Sequence, residues 1–294
     1  MNKIVSRLFI FFIGLPLVLL ITFLNYFVHL PLHLLIITMC AIASLEIYSI
    51  FSKKTSLLPK PLLFCCSILL PISAAVVEIL PFFTDVNLPF GKEFVTYILV
   101  IILLLLLAYE VFTAKSFSES NIRLAASFFV VIYSGFLLTF VSRMTSFHKN
   151  ETDVSNAVIG IFLLMVFMCD SLAWLFGNLF GKNNKGVIKV SPNKSIAGFF
   201  GGFVGAIVSG IIGYFAWTNV FSGSIVKMIL ISVLIAISSI IGDLSESLFK
   251  RSSNVKDSGN VIPGRGGALD SIDSIVMSAP IYYLLITIFY GPFA

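Results

Sequence analysis

Five carboxylates and four cations crowd into residues 242–274, near the end of a chain that otherwise reads as apolar helix. The acids are Asp243, Glu246, Asp257, Asp270 and Asp273; the bases are Lys250, Arg251, Lys256 and Arg265. Interleaved charges at helix ends suit a site for a divalent metal and a polyphosphate. Carboxylates are hard oxygen ligands, and lysine or arginine neutralises phosphate oxygens that the metal leaves uncovered. If one helix runs through 225–250, Asp243, Glu246, Ser247 and Lys250 recur at helical spacing and share a face. A helix starting near Asp270 would carry Asp270 and Asp273 in its first turn, where free N–H groups and partial positive charge favour anions. Spacing alone equally allows capping, with Asp270 as the N-cap and Asp273 closing a capping box. Capping does not account for Asp243, which lies inside an apolar helix, where an acid is costly and usually faces a cavity or a partner. Gly264, Gly266 and Gly267 separate the two acid groups, and glycine lets backbone N–H groups approach a phosphate closely.

A second group lies upstream. Asp170, Trp174, Gly177 and Gly181 keep one helix face. A basic loop follows, with Lys182, Lys185, Lys189 and Lys194. Ser191 and Pro192 are expected to open the next helix, Ser as cap and Pro at the first helical position. That helix carries Gly198, Gly201, Gly202, Gly205, Gly210 and Gly213, spacing that permits close helix packing in a membrane.

The elements that hold these residues are set by composition. The chain has 294 residues, 58% hydrophobic and 11% charged, with a mean hydropathy of +1.05. Those values exclude a soluble globular domain. Nine apolar runs are long enough to span a bilayer: 8–25, 30–51, 61–82, 94–114, 122–146, 154–180, 196–217, 225–249 and 270–292. The expected fold is an all-α polytopic membrane protein of about nine transmembrane helices. No small-residue cleavage site follows the first run, so it is read as retained. With the N-terminus in the cytoplasm, 15 of the 19 Lys and Arg residues fall on inner loops and four on outer ones. The net charge of +5 therefore reads as topology and not as nucleic-acid binding. Both basic loops of the C-terminal half then face the cytoplasm, where nucleotides are found. Cys40, Cys65, Cys66 and Cys169 lie in apolar runs with no zinc-site spacing. His29, His33 and His148 lie near the outer face. Glu78 and Glu110 are expected near an interface or paired with a neighbour. Glu46, near the cytoplasmic end of its run, is the N-terminal acid that could help line the site. Residues 1–150 are expected to be lipid-facing and structural, and residues 151–294 to form the catalytic half.

The two charged segments resemble the phosphatidate cytidylyltransferase (CDP-diacylglycerol synthase) family. Ser247, Lys250, Arg251, Lys256, Asp257, Pro263, Gly264, Gly266, Gly267, Asp270 and Asp273 are similar to its signature. Asp170, Ala173, Gly177, Phe180, Gly181, Lys182, Ser191, Pro192, Lys194, Ser195 and Gly198 match an upstream pattern. Four positions depart from the family: Arg265 stands for His, Ser271 for Arg, Ala197 for an acid, and Trp174 for Tyr. The resemblance covers about residues 160–292 well.

It implies that CTP and phosphatidate give CDP-diacylglycerol and pyrophosphate at the cytoplasmic side of a cell membrane, with Mg2+, in one or two sites, as cofactor. Asp243 and Asp270 would be the principal metal ligands, with Asp273 and Asp257 secondary. Lys182, Lys194, Lys250, Arg251 and Arg265 would hold the triphosphate or the lipid phosphate. Ser191, Ser247, Gly266, Gly267 and Asp170 complete the expected substrate contacts. Lys256 is expected to pair with Asp257. The partners are the two substrates and the bilayer, without nucleic acid; a homodimer is left open. The alternatives are a family member with drifted or lost activity, an ion-coupled transporter, and a CDP-alcohol phosphotransferase, whose opening motif has no match here.

Overall fold

Backbone polar groups in hydrocarbon must bond within their own segment, so runs rich in Leu, Ile and Phe fold as helices. The computed structural model describes residues 15–84, 91–262, 266–291 and 293. Its helices are α1 (Leu15–Phe23), α2 (Leu30–Phe51), α3 (Lys60–Phe83), α4 (Phe94–Thr113), α5 (Ser120–Val131), α6 (Thr139–Arg143), α7 (Ser155–Phe180), α8 (Ile196–Ala216), α9 (Ile225–Ser252) and α10 (Leu269–Tyr290). Among the described residues eight spans are long and apolar enough to cross a membrane, with α5 and α6 forming one, Ser120–Arg143. They coincide with eight of the nine expected runs. Of the run at 8–25, residues 8–14 lie outside the described residues. The chain is an all-α, multi-pass membrane protein.

Three local features differ from the simplest reading. The fifth run is interrupted by a π turn at Ile132–Phe136. A Cβ on Gly135 would lie 2.5 Å from the Ser67 carbonyl oxygen, and Ser134 donates to the Val130 carbonyl (2.7 Å) and the Ser67 hydroxyl (3.2 Å). The widened turn sits where α3 presses against this span. The polar loop after α6 closes as a small hairpin, His148–Lys149 against Thr152–Asp153, with Asn150 and Glu151 at positive φ. Finally, α8 is capped by Ser195, not by Ser191: the Ser195 hydroxyl accepts the Gly198 N–H at 3.1 Å. Ser191 instead closes a turn, its carbonyl accepting the Lys194 N–H at 3.1 Å, so Pro192 lies in the loop.

The chain divides into two compact units, residues 1–143 with 249–272, and residues 144–248 with 273–294. The charged segment 249–272 groups with the N-terminal helices. In the first unit Phe249 packs against Phe51, Phe129 and Tyr133 with ring centroids 5.2–5.5 Å apart. That contact anchors the last turn of α9, and the next residue is Lys250. In the second unit the Tyr282 hydroxyl donates to the Val158 carbonyl at 3.0 Å. Here α8 also lies directly on α7: a Cβ on Gly205 would strike the Met168 carbonyl. Backbone meets backbone there, so Gly205→Ala should destabilise the protein by about 1–3 kcal/mol. Thermal unfolding in detergent reads this as a lowered midpoint.

Candidate functional site

In the first unit, the end of α9, Ser258, Gly266 and Gly267 of the following loop, and the first turn of α10 close around Asp270. Lys250 Nζ meets Asp270 Oδ1 at 2.5 Å, with side chains 13% and 8% exposed. The other oxygen, Oδ2, accepts from Ser258 N (3.0 Å), Ser258 Oγ (2.7 Å) and Gly267 N (2.8 Å). Gly266 has φ +114°, a conformation that favours glycine, and a Cβ there would lie 2.6 Å from Asp270 Oδ2. Asp270 is therefore not the N-cap of α10. Ala268 occupies that place, its carbonyl accepting the N–H groups of Ser271 (2.9 Å) and Ile272 (3.2 Å). Its own N–H bonds Glu46 Oε1 at 3.1 Å, and the Leu269 N–H bonds Oε2 at 2.8 Å. The cap thus comes from α2, and Ser258 Oγ also lies 3.1 Å from Glu46 Oε2.

In the second unit, Lys194 pairs with Asp243 Oδ2, the two side chains 23% and 40% exposed. Gly242 makes room for this neighbourhood, since a Cβ there would lie 2.5 Å from the Asp273 carbonyl oxygen. Asp273 is buried, and its Oδ1 accepts the Ser274 N–H at 2.6 Å. Asp170 Oδ1 lies 3.4 Å from the Ser274 hydroxyl and 3.5 Å from that of Ser239. Gly177 and Gly181 face Ser195, and Trp174 is exposed.

The expected site residues are accordingly distributed over both units. Asp257, Lys250, Arg251, Gly266, Gly267 and Asp270 belong to the first; Asp170, Lys182, Ser191, Lys194, Asp243, Ser247 and Asp273 belong to the second. Arg265, with Pro263 and Gly264, lies outside the described residues. Lys182, Arg251 and Asp257 are exposed, and Ser247 is partly so. No ion pair joins Lys256 to Asp257 among the described residues, and both are exposed. Glu110 pairs with Arg123 at 3.1 Å and accepts from Ser120 at 2.6 Å. His29 and His148 bond backbone carbonyls, each at 2.9 Å.

Sequence reasoning missed Ser258, Ser239 and Ser274, which no charge or spacing distinguishes from other serines. Glu46 carried one signal, an acid near the end of an apolar run.

The donor chemistry fits Mg2+. No three His, Cys, Asp or Glu side chains converge on a cage among the described residues. Magnesium, however, usually takes one or two carboxylates and completes its shell with water and substrate phosphate. Asp243 pairs with Lys194 and Asp270 with Lys250, and a phosphate oxygen is an anion that could take the carboxylate's place on either lysine.

A model of a cytidylyltransferase family matches residues 5–289. The chain is 32% identical to a phosphatidate cytidylyltransferase of Staphylococcus haemolyticus over 182 residues, 62% of this chain and 65% of the relative. It is 43% identical to that of Haemophilus influenzae over 130 residues, 42% of this chain and 45% of the relative. It is 32% identical to that of Bacillus subtilis over 186 residues, 63% and 66% of the two chains. Each match spans less than two thirds of the relative's own length.

Proposed function

This chain belongs to the cytidylyltransferase family, and we propose that it transfers the cytidylyl group of CTP to phosphatidate, giving CDP-diacylglycerol and pyrophosphate. The observation that supports this reading best is that each family-like segment folds onto a lysine–carboxylate pair, Lys194 with Asp243 and Lys250 with Asp270. The reaction joins two anions: an oxygen of the phosphatidate phosphate attacks the α-phosphorus of CTP, and pyrophosphate leaves. The nucleophile is already charged, so no strong base is required. The barrier lies in anion–anion repulsion and in charge developing on phosphate oxygens, which positioned cations lower.

Lys194 and Lys250 meet that need. Each keeps a carboxylate partner before substrate arrives, so neither charge waits uncompensated. Each can exchange that partner for a phosphate oxygen, and two exposed cations are added by Lys182, in the loop after α7, and Arg251, in the last turn of α9. Asp270 Oδ2 takes three donors, and Lys250 bonds the other oxygen, Oδ1. Asp243 and Asp273 in the second unit, and Asp270 and Asp257 in the first, are the carboxylates that would hold Mg2+, which would supply Lewis-acid stabilisation of phosphoryl oxygens. The excess of lysine and arginine on one set of loops supports a cytoplasmic side for this chemistry.

The test is direct. Purified protein with labelled CTP and phosphatidate should release pyrophosphate only when both phosphatidate and Mg2+ are present. Chelation by EDTA should reduce release to background, and added Mg2+ should restore it. Pyrophosphate release without phosphatidate, or none under any condition, would overturn the reading.

A further inference from the structure

We propose that Glu46 is a positioning residue of the transfer reaction, acting from α2 on the loop and helix turn that carry Asp270. The inference rests on the function proposed above and adds to it a residue outside the two family-like segments. Glu46 is 7% exposed. Its two oxygens take the N–H groups of Ala268 and Leu269 and lie within reach of the Ser258 hydroxyl. Those N–H groups are among the four that a helix start leaves without partners, and the helix dipole favours an anion there.

The surroundings are shaped to this carboxylate. A Cβ on Gly259 would strike Glu46 Oε1, and a Cβ on Gly267 would strike both of its oxygens. Both glycines thus stand where the loop folds over the end of one side chain. Ser258 then carries the constraint onward. Its hydroxyl oxygen lies 3.1 Å from Glu46 Oε2 and 2.7 Å from Asp270 Oδ2, so its single hydrogen is shared between two carboxylates. Glu46 acts through these groups: it fixes where the α10 turn begins, and so where Asp270 meets Lys250. A glutamine at this position would turn an NH2 group toward donors, setting donor against donor at one of the two N–H groups.

The experiment uses the full chain in detergent or proteoliposomes and measures three things: kcat and KM for CTP, thermal unfolding, and amide hydrogen exchange at Ala268 and Leu269. Glu46→Gln should speed exchange at both amides and lower kcat about 10–100-fold, the cost of losing charge-assisted hydrogen bonds. KM for CTP should stay within about threefold if Glu46 acts through the Asp270 turn and not on the nucleotide. Gly259→Ala is the second variant. It displaces the Glu46 carboxylate while keeping its charge, the clash being with the flexible end of a side chain. It should lower kcat in the same direction even if Glu46→Gln fails to fold. Faster exchange with unchanged kcat in either folded variant would show a cap that is structural only, and would overturn the proposal. Wild-type protein that turns over CTP and phosphatidate while both variants match it sinks this inference alone. Wild-type protein without turnover sinks the function reading with it.

Discussion

Asp270→Asn is expected to abolish pyrophosphate release and to lower thermal stability together. The Lys250–Asp270 pair is largely buried, and breaking such a pair by removing one partner costs about 3–5 kcal/mol. The asparagine also weakens the acceptor for Ser258 and Gly267. Activity and unfolding midpoint should be measured on the same preparation. The double variant Lys250→Gln with Asp270→Asn separates the two effects: removing both charges should recover much of the midpoint and none of the turnover. Turnover near wild type in Asp270→Asn would remove Asp270 from the site.

Asp243→Asn should behave differently. Its pair with Lys194 is partly open to solvent, with Asp243 40% exposed, and exposed pairs stabilise by at most about 1 kcal/mol. The unfolding midpoint should therefore barely move, and membrane insertion should be intact. Turnover at saturating CTP and phosphatidate should nonetheless fall about 10²–10³-fold, the usual cost of losing one group that stabilises transition-state charge. A midpoint that falls as far as in Asp270→Asn, with turnover kept, would assign Asp243 to packing. The contrast between the two variants matters more than either alone, because both residues carry the same chemistry in different degrees of burial.

How much of this was legible from residues alone varies with the kind of interaction. The spans were readable because twenty apolar residues in a row have few other ways to satisfy their backbone in lipid. Eight of the nine expected runs lie among the described spans with ends shifted by a few residues. The π turn was not readable, since it arises where Gly135 meets the Ser67 backbone, a contact between residues far apart in sequence. The cap of α8 was misplaced by four residues because Ser191 and Ser195 are chemically equal, and only the Gly198 N–H distinguishes them.

The amino-acid order by itself determined the membrane-spanning helices, the family-like segments and the carboxylates and cations in them, because these follow from local composition and short spacing. Only the tertiary structure decided the partners: Lys194 with Asp243, Lys250 with Asp270, and Glu46 on the start of α10. The last joins residues more than two hundred positions apart. The physical reason is that a charge and a helix end state what each requires, while the fold settles which distant group supplies it.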